Sequence, residues 1–489
     1  MSNLVRWLFE NTKNSKRIAI SFGLEEMTYK KLYESIIGTS KMIHNLAGEE
    51  ENIILVADNS PFFIISYFSI IASGNICIPL KYDKNLNLEK IRAKTNSKNV
   101  FIQEKYLGIT NDSKFANIFS EKNIEEKEKE FYQIKEYSKE KLAVIIFTSG
   151  STGEPKGVML THGNIISNTR SIVKGLNITK NDNVMTVLPF YYCFGASLLH
   201  THIRAGGTLT LNNKILFPQK ILQEMIDKKC TGIAGVPTVF QMLLRRTKMK
   251  ETVFPYMRCV QQAGGKLADP YLKELIAIFG KEKIFVMYGQ TEATSRLSIL
   301  DPKYLDTKLG SVGKGLEETE LKVLDKEGVP SKIGETGEIY AIGGNVMRGY
   351  YKNKEETKKY LINDILKTGD LGVMDKDGFI FIKGRNKDFI KSRGYRVSGQ
   401  RIEKIIAEIL EIVEVAVIGI EDRLLGEKII AYVSTNKEIS REYIKNYCTS
   451  RLQSYEIPSE IVFLDTLPKN KSLKIDYTKL KKEDILKLK

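Results

Sequence analysis

Residues 145–157 read IIFTSGSTGEPKG, so an apolar run passes directly into a loop rich in glycine and hydroxyl residues that includes Lys156. Glycines let successive backbone N–H groups converge, hydroxyls add donors and the lysine adds a point charge, and together these groups suit a polyphosphate. The loop is not a Walker loop, because GxxxxGK[ST] cannot be placed on it. A hydroxyl-rich loop alone would favour a flexible surface turn, but glycines and a lysine directly after an apolar strand indicate a phosphate site.

On both sides of this loop, apolar strand-like runs alternate with helical patterns, which predicts a layered α/β fold. The clearest runs are residues 52–57, 143–148, 184–188, 208–211 and 284–288. After about Gly315 the pattern changes to short strands, with turn signals at residues 325–328 and 375–378.

A smaller second domain is predicted at the C-terminal end. The chain has 489 residues, and single cores stop growing beyond roughly 250–300 residues. Past Arg385, apolar residues at a spacing of three and four predict one helix face, formed by Ile402, Ile405, Ile406, Ile409 and Leu410. Strands are predicted at 413–420 and 428–433. We therefore predict a large layered α/β domain over residues 1–384 and a small, mobile α+β domain over residues 385–489.

Composition excludes several classes of protein. Hydrophobic residues make up 42% of the chain and charged residues 27%, as in ordinary globular proteins. The 75 Lys and Arg residues exceed the 59 Asp and Glu residues, but they are scattered, so we predict no nucleic-acid partner. The five cysteines lie far apart without a CxxC and the four histidines form no metal-binding pattern, which excludes a zinc framework and a secreted disulfide scaffold.

Two segments need a separate interpretation. Residues 59–80 carry no charge and are long enough to span a bilayer, but their serines, prolines and Gly74-Asn75 predict a buried helix over Pro61–Ser73 and a strand over Ile76–Leu80. Because the N-terminus also has no signal-peptide core, we expect a cytoplasmic protein without a transmembrane segment. Residues 121–141 are a charged run with few apolar side chains, which predicts a solvated helix or loop.

Four further motifs follow the glycine-rich loop in order. Residues 288–292 read YGQTE, residues 368–370 read TGD, residues 384–394 read GRNKDFIKSRG and residues 467–476 read LPKNKSLKID. The five motifs together resemble those of the adenylate-forming superfamily, which includes acyl- and aryl-CoA synthetases, luciferases and the adenylation domains of peptide synthetases. The resemblance covers nearly the whole chain.

The resemblance implies a reaction between a carboxylate and the α-phosphate of ATP, with loss of pyrophosphate. Both reactants are anionic, so the enzyme needs positioning and positive charge more than a side-chain nucleophile. Glu292 would bind Mg²⁺, and Thr291, close to Gly289, would hydrogen-bond the α-phosphate. The residues expected to hold the β- and γ-phosphates are Thr148, Ser149, Thr152 and Lys156, and Gly150 and Gly153 of the same loop are also expected to bind the nucleotide.

The same resemblance implies where the nucleoside binds. Asp370 would accept hydrogen bonds from the ribose hydroxyls, because a carboxylate is an acceptor matched to a diol, and Arg385 would lie near the same ribose. Gly264 and Gly265 would lie along the adenine, and Tyr288 would stack against it.

Two lysines of the small domain would divide the two half-reactions. Lys474 matches the lysine that bridges the carboxylate and the α-phosphate during adenylation. Lys391 and Gly394 match the face that turns inward for thioester formation, with the hinge at Lys387. Leu473 stands where the family commonly has glycine, so we expect this loop to be shaped differently.

The acid substrate is expected to carry an alkyl or aryl tail, because the candidate pocket walls are small, apolar or aromatic. Cys193 falls where amino-acid-activating domains carry Asp, so a buried ammonium would lack its partner. Gly235 and Gly265 could leave tunnel space, which favours a fatty over an aromatic acid. The candidate walls are Tyr191, Tyr192, Cys193, Ala234, Gly235, Val236 and Met287.

The thiol acceptor is expected in trans. Coenzyme A is the commonest choice in the family, and the phosphopantetheine of a free acyl carrier protein is the alternative. Both are acidic, so the net charge of +16 separates neither. A non-catalytic nucleotide-binding relative is a third interpretation, against which the retained Lys156, Glu292, Asp370, Arg385 and Lys474 speak.

Overall fold

The computed structural model of the chain describes residues 3–83, 86–110, 114–125, 132–148, 155–385, 389–422 and 424–487. Its helices are α1 (Leu4–Leu8), α2 (Tyr29–Ala47), α3 (Pro61–Ala72), α4 (Leu88–Thr95), α5 (Glu121–Glu125), α6 (His162–Gly175), α7 (Cys193–Ala205), α8 (Pro218–Asp227), α9 (Pro237–Arg246), α10 (Asp269–Phe279), α11 (Lys354–Tyr360), α12 (Gly399–Ile406), α13 (Arg441–Thr449) and α14 (Tyr477–Lys487). Its strands are β1 (Ile18–Phe22), β2 (Glu25–Thr28), β3 (Asn52–Val56), β4 (Ile76–Leu80), β5 (Asn99–Ile102), β6 (Asn117–Phe119), β7 (Leu142–Thr148), β8 (Lys156–Thr161), β9 (Asn183–Thr186), β10 (Thr208–Leu211), β11 (Gly232–Gly235), β12 (Cys259–Gln262), β13 (Ile284–Tyr288), β14 (Ser298–Leu300), β15 (Lys314–Gly315), β16 (Thr319–Leu324), β17 (Thr336–Gly343), β18 (Gly349–Tyr350), β19 (Leu361–Ile362), β20 (Ile365–Met374), β21 (Ile380–Arg385), β22 (Phe389–Ser392), β23 (Tyr395–Ser398), β24 (Ile412–Asp422), β25 (Gly426–Thr435) and β26 (Glu460–Phe463).

Two large sheets form the N-terminal part. One has the strand order β18-β8-β7-β4-β3-β5-β6, and the other has the order β15-β14-β13-β12-β11-β9-β10-β1-β2. In the second sheet the strands from β13 to β1 run parallel. The carboxyl ends of parallel strands meet at one edge, which is where open α/β sheets bind ligands.

The uncharged segment is a buried helix, as predicted. Ser60 caps α3 by accepting a hydrogen bond from the backbone N–H of Phe63, and Pro61 occupies the first turn, where its missing N–H costs nothing. The helix packs into the main core, and β4 follows it after the turn at Gly74. Among the described helices, none is both long and apolar enough to cross a bilayer.

Two smaller sheets complete the chain. Strands β16-β17-β20-β19, with β21 beside β20, form one sheet, and β23-β22-β25-β24, with β26 beside β25, form the other. The last sheet and helices α12 to α14 make a smaller α+β unit, which confirms the predicted fold class. Sheet membership changes between Arg385, the end of β21, and Phe389, the start of β22. Lys387 lies outside the described residues.

Two local predictions were partly wrong. Residues 121–141 are not simply solvated: Ile124, Ile134 and Tyr137 are buried, because even a few apolar side chains in a charged run can reach the core. The predicted face is buried at Ile402, Ile406 and Ile409, but α12 ends at Ile406 and Leu410 is 68% exposed. A 3.6-residue pattern locates a helix better than it locates its end.

Candidate active site

The two flanks of the glycine-rich loop are held by a strand pair. Thr148, at the end of β7, pairs with Lys156, at the start of β8, and the Thr148 hydroxyl donates to the Lys156 carbonyl at 3.4 Å. Ser149, Gly150, Thr152 and Gly153 lie outside the described residues, so their phosphate roles stay predictions.

The ammonium of Lys156 lies in a cage that the sequence did not reveal. It forms an ion pair with Glu356 of α11 and lies 5.4 Å from the ring centroid of Tyr350 and 5.1 Å from that of Tyr360. The Lys156 side chain is only 12% exposed. Its hydrogen bond holds the pKa of Glu356 below the usual range. The Glu356 carboxylate therefore stays ionised at neutral pH, and the ion pair holds the Lys156 side chain in place.

The YGQTE segment is a tight turn after β13. A Cβ atom at Gly289 would lie 2.0 Å from the carbonyl oxygen of Ser295, so only glycine fits there. The turn presents Thr291, which donates to the Cys193 sulfur at 3.3 Å, and Glu292, which accepts from the Tyr350 hydroxyl at 2.9 Å. Burial and the neighbouring Glu292 raise the pKa of Tyr350, so its phenol remains a donor.

Glu292 is the one residue predicted from the sequence to bind Mg²⁺. Among the residues that the structure describes, no group of three or more His, Cys, Asp or Glu side chains could hold a metal ion. A single carboxylate in a cleft shared with Lys156 fits Mg²⁺, because that ion keeps several waters and takes its other ligands from substrate phosphates.

A second polar cluster lies at the junction of β13, β20 and β21. Asp370 is 5% exposed and accepts hydrogen bonds from the Tyr288 hydroxyl at 2.6 Å and from the Arg385 Nε at 2.8 Å. The strands set this geometry, because Asp370 and Arg385 are paired across β20 and β21. Tyr288 was predicted to stack on the adenine. In the structure its hydroxyl donates a hydrogen bond to Asp370, the residue that was predicted to bind the ribose.

The Lys474 loop is folded back on itself and docked on the N-terminal part. The Asn470 N–H donates to the Lys474 carbonyl at 2.7 Å, and Leu473 adopts a φ of 64°. We had expected a non-glycine residue here to avoid a positive φ and so to change the loop. This expectation was wrong, because Leu473 takes the left-handed conformation, which destabilises the fold by roughly 1–2 kcal/mol. The Thr238 hydroxyl donates to the Leu473 carbonyl at 2.5 Å, and the Tyr191 hydroxyl donates to that of Lys471 at 3.0 Å.

Docking brings Lys474 over the predicted adenine platform. Gly264, with a φ of 83°, follows β12, and a Cβ atom there would lie 3.1 Å from the Lys474 Cε and 2.8 Å from the Val236 Cγ1. The Lys474 ammonium lies 5.6 Å from the Tyr192 ring centroid. Gly265 is less constrained, with Pro237 Cγ 3.3 Å from its hypothetical Cβ.

One cleft of about 1670 Å³ collects many of these groups, but Asp370, Tyr288, Gly264 and Gly265 are not among the residues that line it. Twelve basic side chains and four acidic ones line it, so its field attracts anions. The predicted residues that line it are Thr148, Lys156, Tyr191, Tyr192, Gly289, Thr291, Glu292, Arg385, Lys391, Gly394 and Lys474.

The predicted acid pocket lies deeper and is tightly packed. Cys193, Val236 and Met287 are buried, as is Ala234. The tunnel space expected next to Gly235 is absent, because a Cβ there would lie 2.9 Å from the Phe240 Cε2. The cavity behind Cys193 has a volume of about 10 Å³, which is room for about one water.

A buried arginine lies beside this pocket: the Nε of Arg296 points at the Met287 sulfur at 3.4 Å.

Comparison with known proteins identifies the class. Residues 9–351 match the family model of AMP-binding enzymes, and residues 401–474 match that of the AMP-binding enzyme C-terminal domain. The chain therefore belongs to the AMP-binding enzyme family, as the five motifs predicted.

Named relatives narrow this class. The chain is 33% identical over 347 residues to a putative acyl-CoA synthetase, YngI, of Bacillus subtilis, a match that covers 69% of this chain and 63% of that relative. It is 28% identical to a 2-succinylbenzoate–CoA ligase of Bacillus cereus, over 97% of this chain and 98% of that one. The fold matches the O-succinylbenzoate coenzyme A synthetase of Bacillus subtilis, solved in complex with ATP and magnesium ion, with a TM-score of 0.82, 26% identity and coverage of 97% and 98%. Within the family, the chain is an AMP-forming CoA ligase.

Proposed function

We propose that this chain activates a carboxylic acid with ATP and Mg²⁺ to an acyl adenylate and then transfers the acyl group to coenzyme A. One observation carries the proposal: Lys156, on the glycine-rich loop, and Lys474, from the far end of the chain, line the same cleft. Two cations supplied from distant segments can offset the repulsion between a carboxylate and a triphosphate, and this repulsion is the main barrier to adenylation.

Each group in the cleft has a role that follows from its chemistry. Lys156 and Thr148 bind the β- and γ-phosphates, and Thr291 hydrogen-bonds the α-phosphate. Glu292 holds Mg²⁺, which neutralises phosphate charge when bound. Lys474 contacts the attacking carboxylate and the α-phosphate. The charge-assisted geometry favours the transition state, in which negative charge is shared between these two groups.

The nucleoside is assigned to the Asp370 cluster and the glycines after β12. The Asp370 carboxylate is already oriented by Tyr288 and Arg385, so little side-chain entropy is lost when the ribose hydroxyls bind. Gly264 lets a flat ring approach the backbone closely, since any side chain there would meet Val236.

For the second half-reaction we propose that the small domain, residues 385–489, rotates about a hinge at Lys387 and brings Lys391 and Gly394 closer to the acyl adenylate. In the described conformation both residues line the cleft beside the docked Lys474 loop. Coenzyme A is the proposed acceptor, and the excess of basic over acidic side chains in the cleft supports a polyanionic thiol. The phosphopantetheine of an acyl carrier protein is the alternative.

The acid is proposed to be compact rather than a long fatty chain. The packing behind Gly235 and the small cavity behind Cys193 support this choice over the tunnel expected from the sequence. The relative from Bacillus cereus is named a 2-succinylbenzoate–CoA ligase, so 2-succinylbenzoate and acids of that size are the first to test.

The test is acid-dependent ATP–pyrophosphate exchange with a panel of carboxylates, followed by trapping of the acyl adenylate with coenzyme A or with carrier protein. The proposal predicts exchange with at least one compact acid and thioester formation with coenzyme A. ATP binding without exchange for any acid would contradict it, and thioester formed only with carrier protein would select the alternative acceptor.

A further inference from the structure

Tyr350 contacts two side chains that have different roles in the proposed site. Its hydroxyl donates a hydrogen bond to Oε1 of Glu292 at 2.9 Å, and the Lys156 ammonium lies 5.4 Å from the centroid of its ring. Tyr350 itself is buried. One tyrosine therefore holds the proposed Mg²⁺ ligand with its hydroxyl group and the proposed phosphate ligand with the face of its ring.

The backbone and the ring of Tyr350 are both fixed. Tyr350 lies opposite Val158 in the pairing of β18 with β8, and its N–H donates to the hydroxyl of Thr357 in α11 at 2.9 Å. Its ring packs edge-on against that of Tyr360, also in α11, with 6.1 Å between the centroids. The hydroxyl is thus presented to Glu292 from a rigid frame, as the support of a ligand-binding residue requires.

Glu292 depends on the same segment of the chain for its position. Its carbonyl accepts a hydrogen bond from the Met347 N–H at 2.9 Å, three residues before Tyr350. Among the described residues, the Tyr350 hydroxyl is the one group that hydrogen-bonds the Glu292 carboxylate, and no lysine or arginine forms an ion pair with it. The contact engages Oε1 and leaves Oε2 for a ligand.

Without this contact the carboxylate would not keep its orientation. Twelve basic side chains line the cleft, and a carboxylate is attracted to any cation that it can reach. A carboxylate that turns to pair with a lysine no longer serves as a metal ligand. The phenol of Tyr350 prevents this, because a neutral donor fixes one oxygen and leaves the negative charge on the carboxylate.

We propose that Tyr350 is a positioning residue for Mg²⁺ and ATP: its hydroxyl orients the Glu292 carboxylate for the metal, while its ring keeps Lys156 in place for the phosphates. The inference rests on the proposed function, since it concerns how the same site binds ATP together with Mg²⁺. Groups that orient a metal ligand typically change metal affinity or activity by about 10–100-fold. Tyr350 should therefore strengthen the binding of ATP when Mg²⁺ is present, through its contact with Glu292.

The first test is Tyr350→Phe, which keeps the ring beside Lys156 and removes the hydroxyl. ATP is titrated into the protein by calorimetry without any acid, so that no reaction occurs, once in excess Mg²⁺ and once in EDTA. The Kd for ATP is expected to rise by roughly 10-fold or more in Mg²⁺ and to stay as in wild type in EDTA, because the contact with Lys156 is kept. An equal rise under both conditions, or no rise in Mg²⁺, would overturn the inference.

Tyr351→Phe is the matched control, because it removes the hydroxyl of the next residue. That hydroxyl accepts from the Asn52 Nδ2 at 3.1 Å and donates to the Thr95 carbonyl at 3.3 Å. Tyr351 has no role in the proposed binding of ATP or acid. We expect both Kd values of this variant to match those of wild type.

A double-mutant cycle tests whether Tyr350 acts through Glu292. Glu292→Gln removes the proposed metal ligand, so Tyr350→Phe introduced into that variant should cause no further rise in the Kd for ATP in Mg²⁺. A further rise as large as in the wild-type background would show that the hydroxyl acts independently of Glu292, and this would overturn the inference.

The two proposals fail separately. If wild type binds ATP more tightly in Mg²⁺ than in EDTA and Tyr350→Phe does the same to the same extent, the role of Tyr350 is refuted and the ligase remains. If wild type binds no ATP under either condition, the proposed function itself is refuted, and the role of Tyr350 with it.

Discussion

The docked state of the Lys474 loop depends on the hydroxyl of Thr238, a residue with no role in the proposed binding of ATP or acid. Thr238, in the first turn of α9, donates to the Leu473 carbonyl at 2.5 Å, one residue before Lys474. Thr238→Val keeps the shape of the side chain and removes the donor, so the partly buried carbonyl loses its partner. We expect this change to weaken docking of the loop without altering any group that binds ATP.

The magnitude follows from the cost of one lost hydrogen bond in a partly buried site, about 1–2 kcal/mol. If docking limits adenylation, the docked population and the rate of acid-dependent ATP–pyrophosphate exchange fall by about 5–30-fold. Thioester formation from synthetic acyl adenylate and coenzyme A does not require the docked loop, so we expect it to keep its rate or to rise.

Thr247→Val is the matched control. Thr247 directly follows the same helix, and its hydroxyl donates to the Leu243 carbonyl and accepts from the Met249 N–H, both away from the Lys474 loop. It should leave both half-reactions unchanged apart from any common loss of stability. Equal decreases of both half-reactions in Thr238→Val, or no decrease in exchange, would refute the link between docking and adenylation.

Two further predictions concern the nucleoside and the effect of pH. Asp370→Asn should raise the KM for ATP by about 10–100-fold, because a charge-assisted contact to the ribose is lost; a KM within twofold of wild type would remove the ribose role. Burial lowers the pKa of His162 to about 4 in the folded protein, whereas an unfolded histidine has a pKa of about 6.5. Between these two pH values the unfolded chain binds a proton at His162 and the folded protein does not. The free energy of unfolding therefore falls as the pH drops from about 6.5 to about 4. His162 should therefore contribute about 2 kcal/mol of destabilisation between pH 7 and pH 5, and urea unfolding of His162→Gln should show a correspondingly smaller loss; an equal loss in the two proteins would contradict this.

Much of the architecture could be predicted because short-range patterns carry it. The uncharged run after Ser60 has a cap, a proline in the first turn and a Gly-Asn turn at its end, and α3 and β4 appear within a residue of the predicted bounds. Five motifs in the expected order predicted the family. The position of a residue within its motif predicted site residues such as Lys156 and Lys474, which line one cleft in the structure.

What could not be predicted depends on contacts between distant segments. Glu356 becomes the partner of Lys156 only because α11 packs against β18, the strand that pairs with β8, and nothing near Glu356 in the sequence indicates that ion pair. The space beside Gly235 is filled by the ring of Phe240, so no tunnel opens there. A glycine in the sequence does not show which neighbouring side chain will fill the space beside it. Leu473 adopts a left-handed backbone conformation, which leucine disfavours, because contacts with distant segments hold the loop in that shape.

In the proposed mechanism Lys474 acts in adenylation and not in thiol transfer. The rates of the two half-reactions in Lys474→Ala test this role, with Lys481→Ala as a control on an exposed lysine of α14. We expect acid-dependent ATP–pyrophosphate exchange to fall by about 10²–10³-fold, while thioester formation from synthetic acyl adenylate and coenzyme A continues. An unchanged exchange rate, or an equal fall in both half-reactions, would refute this role of Lys474.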